Sequence, residues 1–313
     1  MTITTAAGID VGRDWLDVAI APSGRHFRVP NTPEGIAAVL VRLRRGGIAH
    51  VVIESIGAFA ARLVRTLAGA GLAVGVVDPR RIAALRLAEG GRAKTDRLDA
   101  RLIARFALLM NDAIRPVASP EALELRALST RRRQLVEMIA MEKTRLKQSI
   151  DAPLMASHRA TIAILAEERT RIEAMIETRI SATPGNRRRT QLLRTIPGVG
   201  PAVAMTLIAD LPELGTAHNK GIASLAGLAP QIQQSGLNAG RAHIQGGRPC
   251  VRAALYMAAL SAARSEAGFR SEYRAMRAAG KPAKVALIAI ARKIVVAANV
   301  MLKNDQPWTT PTR

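Results

Sequence analysis

Four carboxylates stand out in an otherwise strongly basic chain: Asp10, Glu54, Asp96 and Asp99. Asp10 sits in Gly8-Ile9-Asp10-Val11-Gly12, a short apolar run closed by glycine, and Glu54 ends a second apolar run, His50-Val51-Val52-Ile53-Glu54. Asp96 and Asp99 lie three apart in Lys94-Thr95-Asp96-Arg97-Leu98-Asp99-Ala100, at helical spacing. Carboxylates at two strand ends plus a pair on one helix face form the donor set of a phosphodiester-cutting site that holds two divalent cations roughly 4 Å apart. Most Asp-x-x-Asp pairs are solvated helix-face charges, so spacing alone leaves both readings open. Lys94, Arg97 and Arg101 are the expected counter-charge, and Asp14 and Asp17 read as turn residues.

Two further segments carry chemistry. Ile196-Pro197-Gly198-Val199-Gly200-Pro201 opens a small-residue helix, the pattern of a helix-hairpin-helix. Gly198 and Gly200 permit close approach, and the amides at the helix start suit a phosphate without reading its sequence. Downstream, Ser235 lies in Gln234-Ser235-Gly236, read as a polar loop rimmed by Arg241, Arg248 and Arg252. Pro249 fits the first turn of a helix over 251–263, whose N-terminus points positive charge at that loop. A serine there is ordinarily a hydrogen-bond donor; the sharper reading is a nucleophile toward a phosphodiester, with arginines stabilising the pentavalent charge. The five histidines show no metal-ligand spacing.

The elements that must position these groups follow from periodicity. Strands are predicted over 8–11, 15–21, 26–29, 50–54 and 72–77, with helices over 33–45, 58–70 and 97–109. Three strands, helix, strand, helix, strand, helix is the order of an RNase H/RuvC-like α/β domain, and Asp10 and Glu54 fall at strand ends, where open α/β sheets place active groups. Helical spacing resumes over 120–149 and 160–180, with Pro153 read as an interruption. This predicts an antiparallel helical or coiled-coil hairpin, either a connector or an oligomer arm. The last third reads as mostly helical. The predicted domains are 1–112, 113–190 and 191–313.

Composition narrows the partners. The 313 residues carry 46 basic and 24 acidic groups, a net charge of +22. Residues 191–313 hold 15 basic against 5 acidic groups, and no acid occurs from Gly215 to Ser265. An anionic partner explains that asymmetry, and nucleic acid is the commonest. Eight scattered aromatic rings are too few for a base-stacking platform, so backbone contacts should dominate. Arg292 and Lys293 interrupt the longest apolar run, and no membrane span or signal sequence is expected. A single cysteine, Cys250, fits a reducing compartment.

The ordered set of motifs resembles a known family. Gly8-Ile9-Asp10-Val11, Val52-Ile53-Glu54-Ser55-Ile56-Gly57 and Lys94-Thr95-Asp96-Arg97-Leu98-Asp99-Ala100 are similar to the RuvC-like tetrad of the DEDD/serine transposases of insertion sequences. These are the bridge-RNA-guided recombinases related to the pilin-gene invertase. Ile196-Pro197-Gly198-Val199-Gly200-Pro201, Leu225-Ala226-Gly227-Leu228-Ala229-Pro230, Gln234-Ser235-Gly236 and Arg252-Ala253-Ala254-Leu255-Tyr256-Met257-Ala258-Ala259 resemble that family's serine-bearing domain. Ile56 and Phe59 depart mildly from its pattern. The resemblance implies Mg²⁺ on Asp10, Glu54, Asp96 and Asp99, and a covalent phosphoserine link to DNA at Ser235. It also implies a composite site in a dimer or tetramer, an element-encoded guide RNA pairing with donor and target DNA, and a bacterial, cytoplasmic, nucleoid-associated protein. The alternative is a metal-dependent, RuvC-like, structure-selective nuclease without a covalent intermediate. A decayed, non-catalytic nucleic-acid-binding protein is a third reading, which the intact quartet disfavours.

Overall fold

In the computed structural model, the described residues are 4–54, 59–90, 95–110, 114–117, 119–231, 234–235, 238–239, 243–265 and 268–309. At 115–116, 231, 234–235 and 238–239 the description is of the backbone alone. The chain divides into two compact units, 1–123 and 124–313.

The first unit contains β1 (Ala6–Val11), β2 (Trp15–Ala21), β3 (His26–Pro30), α1 (Pro33–Arg45), β4 (His50–Ile53), α2 (Ala61–Gly69), β5 (Ala73–Val76), α3 (Pro79–Ala88), α4 (Asp96–Leu109) and β6 (Arg115–Pro116). The sheet order is β3-β2-β1-β4-β5-β6. β1, β2 and β3 form an antiparallel meander, β1, β4 and β5 run parallel, and β6 closes the edge antiparallel. This is the RNase H-like arrangement expected from the element order. The sixth strand is a feature that two residues containing a proline give no pattern to foresee. Thr32 caps α1 and Thr95 caps α4, each accepting from an amide of the first turn. One core packs Ile9, Val18, Ile36, Leu43, Ile53 and Leu67; a smaller one, beneath α4, packs Val52, Ile82, Ile103 and Phe106.

Gly8 sets how close α4 lies to β1. A Cβ built there would meet the Ala104 nitrogen at 2.2 Å and the Ala100 oxygen at 2.4 Å, both backbone atoms. The missing side chain therefore lets the helix carrying Asp96 and Asp99 rest directly on the strand carrying Asp10.

The second unit continues with α5 (Pro120–Gln148), α6 (Ala152–Ala182), α7 (Pro184–Leu193), α8 (Pro201–Asp210), α9 (Asn219–Leu225), β7 (Pro230–Gln231), β8 (Gln234–Ser235), β9 (Asn238–Ala239), β10 (His243–Ile244), α10 (Pro249–Ala262), α11 (Arg270–Ala278) and α12 (Ala283–Asn304). Glu124 pairs with Arg179, Glu173 with Arg132 and Glu142 with His158, so α5 and α6 run antiparallel. Pro153 does not interrupt the helix: it occupies the first turn of α6, where its missing N–H is no loss, and the helix starts well before 160. Thr183 alone separates α6 from α7. The core joins Leu135, Ile176, Leu193, Leu207, Leu255, Ile290 and Ile294. By length and composition alone, α12 is long and apolar enough to cross a membrane. However, its Leu287, Ile290, Ala291, Ile294 and Ala298 are buried in this core. The tail is docked: the Trp308 amide donates to the Thr195 hydroxyl at 2.9 Å, and its ring tilts against Phe269.

Candidate functional site

The sheet register assembles a transverse row of charge. Arg28 on β3 opposes Asp17 on β2, and Asp17 opposes Asp10 on β1. Ile9 pairs with Ile53 in the parallel ladder, so the next residues, Asp10 and Glu54, are neighbours where β1 and β4 end. Strands in register lie about 5 Å apart, and paired residues point to one face. α4 lies across β1 and β2 and adds Asp96 and Asp99 from its first turn.

The electrostatics agree with that gathering. The Asp10 carboxyl is pushed up from 3.8 to about 6, first by burial and then by the negative charges of Glu54, Asp96, Asp99 and Asp17. Glu54, Asp96 and Asp99 thus all act on Asp10. Asp17 is not the turn residue expected from sequence. It is mid-strand, 2% exposed, and accepts from His26 Nε2 at 2.8 Å and Arg28 Nε at 2.9 Å. The counter-charge also differs from the expectation. Arg28 Nη2 reaches Asp96 Oδ2 at 2.9 Å, and Arg86 pairs with the buried Asp99. Arg101 instead donates to the Gly24 carbonyl at 3.4 Å, and Lys94 lies outside the described residues. Hydrogen bonding to Asp17 pushes the Arg28 guanidinium above its usual range.

An all-oxygen, strongly charged donor set suits a hard divalent cation such as Mg²⁺, and the repulsion felt at Asp10 is what such a cation relieves. Among the described residues, no three His, Cys, Asp or Glu side chains are gathered into a finished cage. Arg28 and Arg86 hold two of the four candidate carboxylates.

In the second unit, the expected polar loop contains two short antiparallel ladders, β7 with β10 and β8 with β9, and Ser235 pairs with Asn238 in the inner one. The base of this arm is a close backbone crossing. Gly247 has φ +61°, and a Cβ there would meet the Gly227 nitrogen at 2.2 Å. Arg252 donates to the Gly246 carbonyl at 2.8 Å and the Gly227 carbonyl at 3.4 Å, so it staples the crossing. Arg248 makes a bidentate pair with Glu213, both contacts 2.6 Å, and donates to the Asp210 carbonyl at 3.0 Å. Both arginines are engaged with the protein's own groups at the arm's base, where the sequence reading had them rimming a loop. Arg241 lies outside the described residues. Pro249 is at the start of α10, as expected.

The turn from Arg194 to Gly200 links α7 to α8. Gly198 has φ +86°, and its Cβ would lie 2.3 Å from the Ala258 oxygen, so it seats the turn on α10. Gly200 has open space around it and caps α8 without a side-chain hydrogen bond. Sequence reasoning passed over Arg274 and Arg277, exposed on the face of α11 that also carries the half-buried Arg270. Their spacing of four and three residues was the available signal.

Two family models match the chain in order. A DEDD transposase model of the IS110 type matches residues 7–153, and a model described as the IS116/IS110/IS902 transposase family matches residues 190–274. The pilin gene-inverting protein of Moraxella lacunata is 27% identical over 97% of both chains, and that of Moraxella bovis is 26% identical over the same share. An uncharacterized 43.6 kDa protein of insertion element IS110 from Streptomyces coelicolor is 30% identical over 50% of this chain and 37% of its own. Among solved structures, T. thermophilus RuvC in complex with a Holliday junction substrate is 19% identical, covering 37% of this chain and all of that one with a TM-score of 0.29. At that score the strand order and register, rather than the superposition, carry the fold assignment.

Proposed function

We propose, from the premise that this chain belongs to the IS110 family of transposases and is a DNA recombinase, that it exchanges strands through a covalent phosphoserine at Ser235. The observation that carries this is the order of the two matched segments. The first holds Asp10 with Glu54, Asp96 and Asp99 acting on it, and the second holds Ser235 on its stapled arm.

The Ser235 hydroxyl attacks the scissile phosphorus, a serine–phosphate ester forms as the bond to the leaving strand breaks, and the serine proton ends on the leaving oxygen. The freed hydroxyl of the incoming strand then attacks the phosphoserine and restores the serine. Asp10, Glu54, Asp96 and Asp99 would hold Mg²⁺, which when bound supplies electrostatic stabilisation of charge developing on the phosphate. Arg252, and Arg248 through Glu213, hold the arm at its base. The α7–turn–α8 segment acts as a helix-hairpin-helix: α8 lacks a side-chain cap, which leaves first-turn amides for a backbone phosphate. The α5–α6 pair serves as a coiled-coil arm between copies in a dimer or tetramer. An element-encoded RNA supplies sequence choice by base pairing, which suits a basic chain with few stacking rings.

The test is an adduct assay. Protein purified with its element RNA is mixed with Mg²⁺ and labelled junction DNA, denatured, and run beside Ser235→Ala and Asp99→Ala. A labelled protein band absent from both variants, and lost after RNase treatment, is the expected result. Cleaved DNA without an adduct, unaffected by Ser235→Ala, would overturn the mechanism and leave a RuvC-like nuclease.

A further inference from the structure

Two of the four candidate ligands are already held by cations, and those cations come from other elements. Arg28 on β3 spends Nε and Nη2 on the buried Asp17, at 2.9 and 2.7 Å, and the same Nη2 reaches Asp96 at 2.9 Å. The second Asp17 oxygen is taken by His26. Releasing Arg28 from Asp17 would leave a carboxylate that is 2% exposed short of a partner, which is costly. The Asp96 side chain is 65% exposed, so the Arg28–Asp96 contact is the one that yields. On the other side of the patch, Arg86 from α3 pairs with Asp99. Among the described residues no cation pairs with Asp10.

We propose that Arg28 and Arg86 are resident counter-ions of the carboxylate site. They hold Asp96 and Asp99 in the cation-free protein and surrender them when a divalent cation binds. Arg28 then stays anchored on Asp17 as a fixed positive charge at the site's edge, facing an anionic backbone. Arginine is required at 28 because one planar fork must span two carboxylates, which a lysine ammonium cannot do. The inference rests on reading the quartet as a cation site.

Direct Mn²⁺ titration by calorimetry, without DNA, separates the two. Arg28→Lys keeps the charge but loses the fork, and Arg86→Gln removes the partner of Asp99. Each is expected to tighten Mn²⁺ binding by about threefold to tenfold, the scale of one partly exposed ion pair. Should Arg28→Lys fail to fold, Arg86→Gln, on a different element, carries the test. Wild-type affinity in the folded variants would overturn the counter-ion role and leave the cation site standing. No binding to the wild-type chain at millimolar Mn²⁺ would overturn both.

Discussion

Asp10 has acidic neighbours on both flanking strands and two more on the helix above, and its carboxyl is pushed up to about 6. With the folded value near 6 and the ordinary value at 3.8, the folded chain holds a proton between those limits that the unfolded chain releases. Stability contributed by this group therefore falls as pH rises from about 4 to about 6, and the penalty is full at neutral pH. Asp10→Asn is expected to stabilise the cation-free protein by about 1–2 kcal/mol at pH 7.5, discounted for partial exposure. At pH 4 the gain should nearly vanish. Urea denaturation in EDTA at the two pH values measures it, and an equal gain at both would show that Asp10 is not strained by its neighbours. Added Mg²⁺ should narrow the difference at pH 7.5, because a ligand of the folded state offsets the same repulsion.

At the scale of elements, the site depends on α4 lying directly on β1, and Gly8 is the contact that permits it. Gly8→Ala forces backbone against backbone, so a loss of about 2 kcal/mol or more is expected, together with loss of strand transfer. Gly69→Ala, at a helical position with nothing within 4 Å, should be neutral or mildly stabilising. Equal effects in a denaturation series would remove Gly8 from the account. The comparison also marks what the sequence makes legible. Apolar runs ending in Asp10 and Glu54, and the period of α4, foretold the element order of the first unit because burial on one face writes itself into the sequence pattern. Arg28 and Asp17 were missed because strand alternation assigns a face but not a cross-strand partner. Pro153 misled because a proline at a helix start and a helix breaker look alike in one sequence. The ladders around Ser235 are two residues each, too short for any period to register.

At the scale of the whole molecule, the charge distribution favours an anionic partner. The net charge of +22 is weighted toward the C-terminal third, and within it α11 lines up Arg270, Arg274 and Arg277 on one face at spacings of four and three residues. Glu272 on the same helix is paired with Lys293, so it does little to neutralise that face. Binding through such a surface releases counter-ions, and the logarithm of affinity falls with the logarithm of salt by roughly 0.9 per phosphate neutralised on a DNA duplex. Duplex binding by the wild-type chain should therefore weaken steeply with salt. Arg274→Glu with Arg277→Glu should lower the slope by about 2, largely independent of duplex sequence. Arg62→Glu with Arg65→Glu, the same charge change on exposed positions of α2, is the matched control. If attraction came from net charge alone, the two pairs would flatten the slope equally. A change confined to the α11 pair would assign backbone contact to that face.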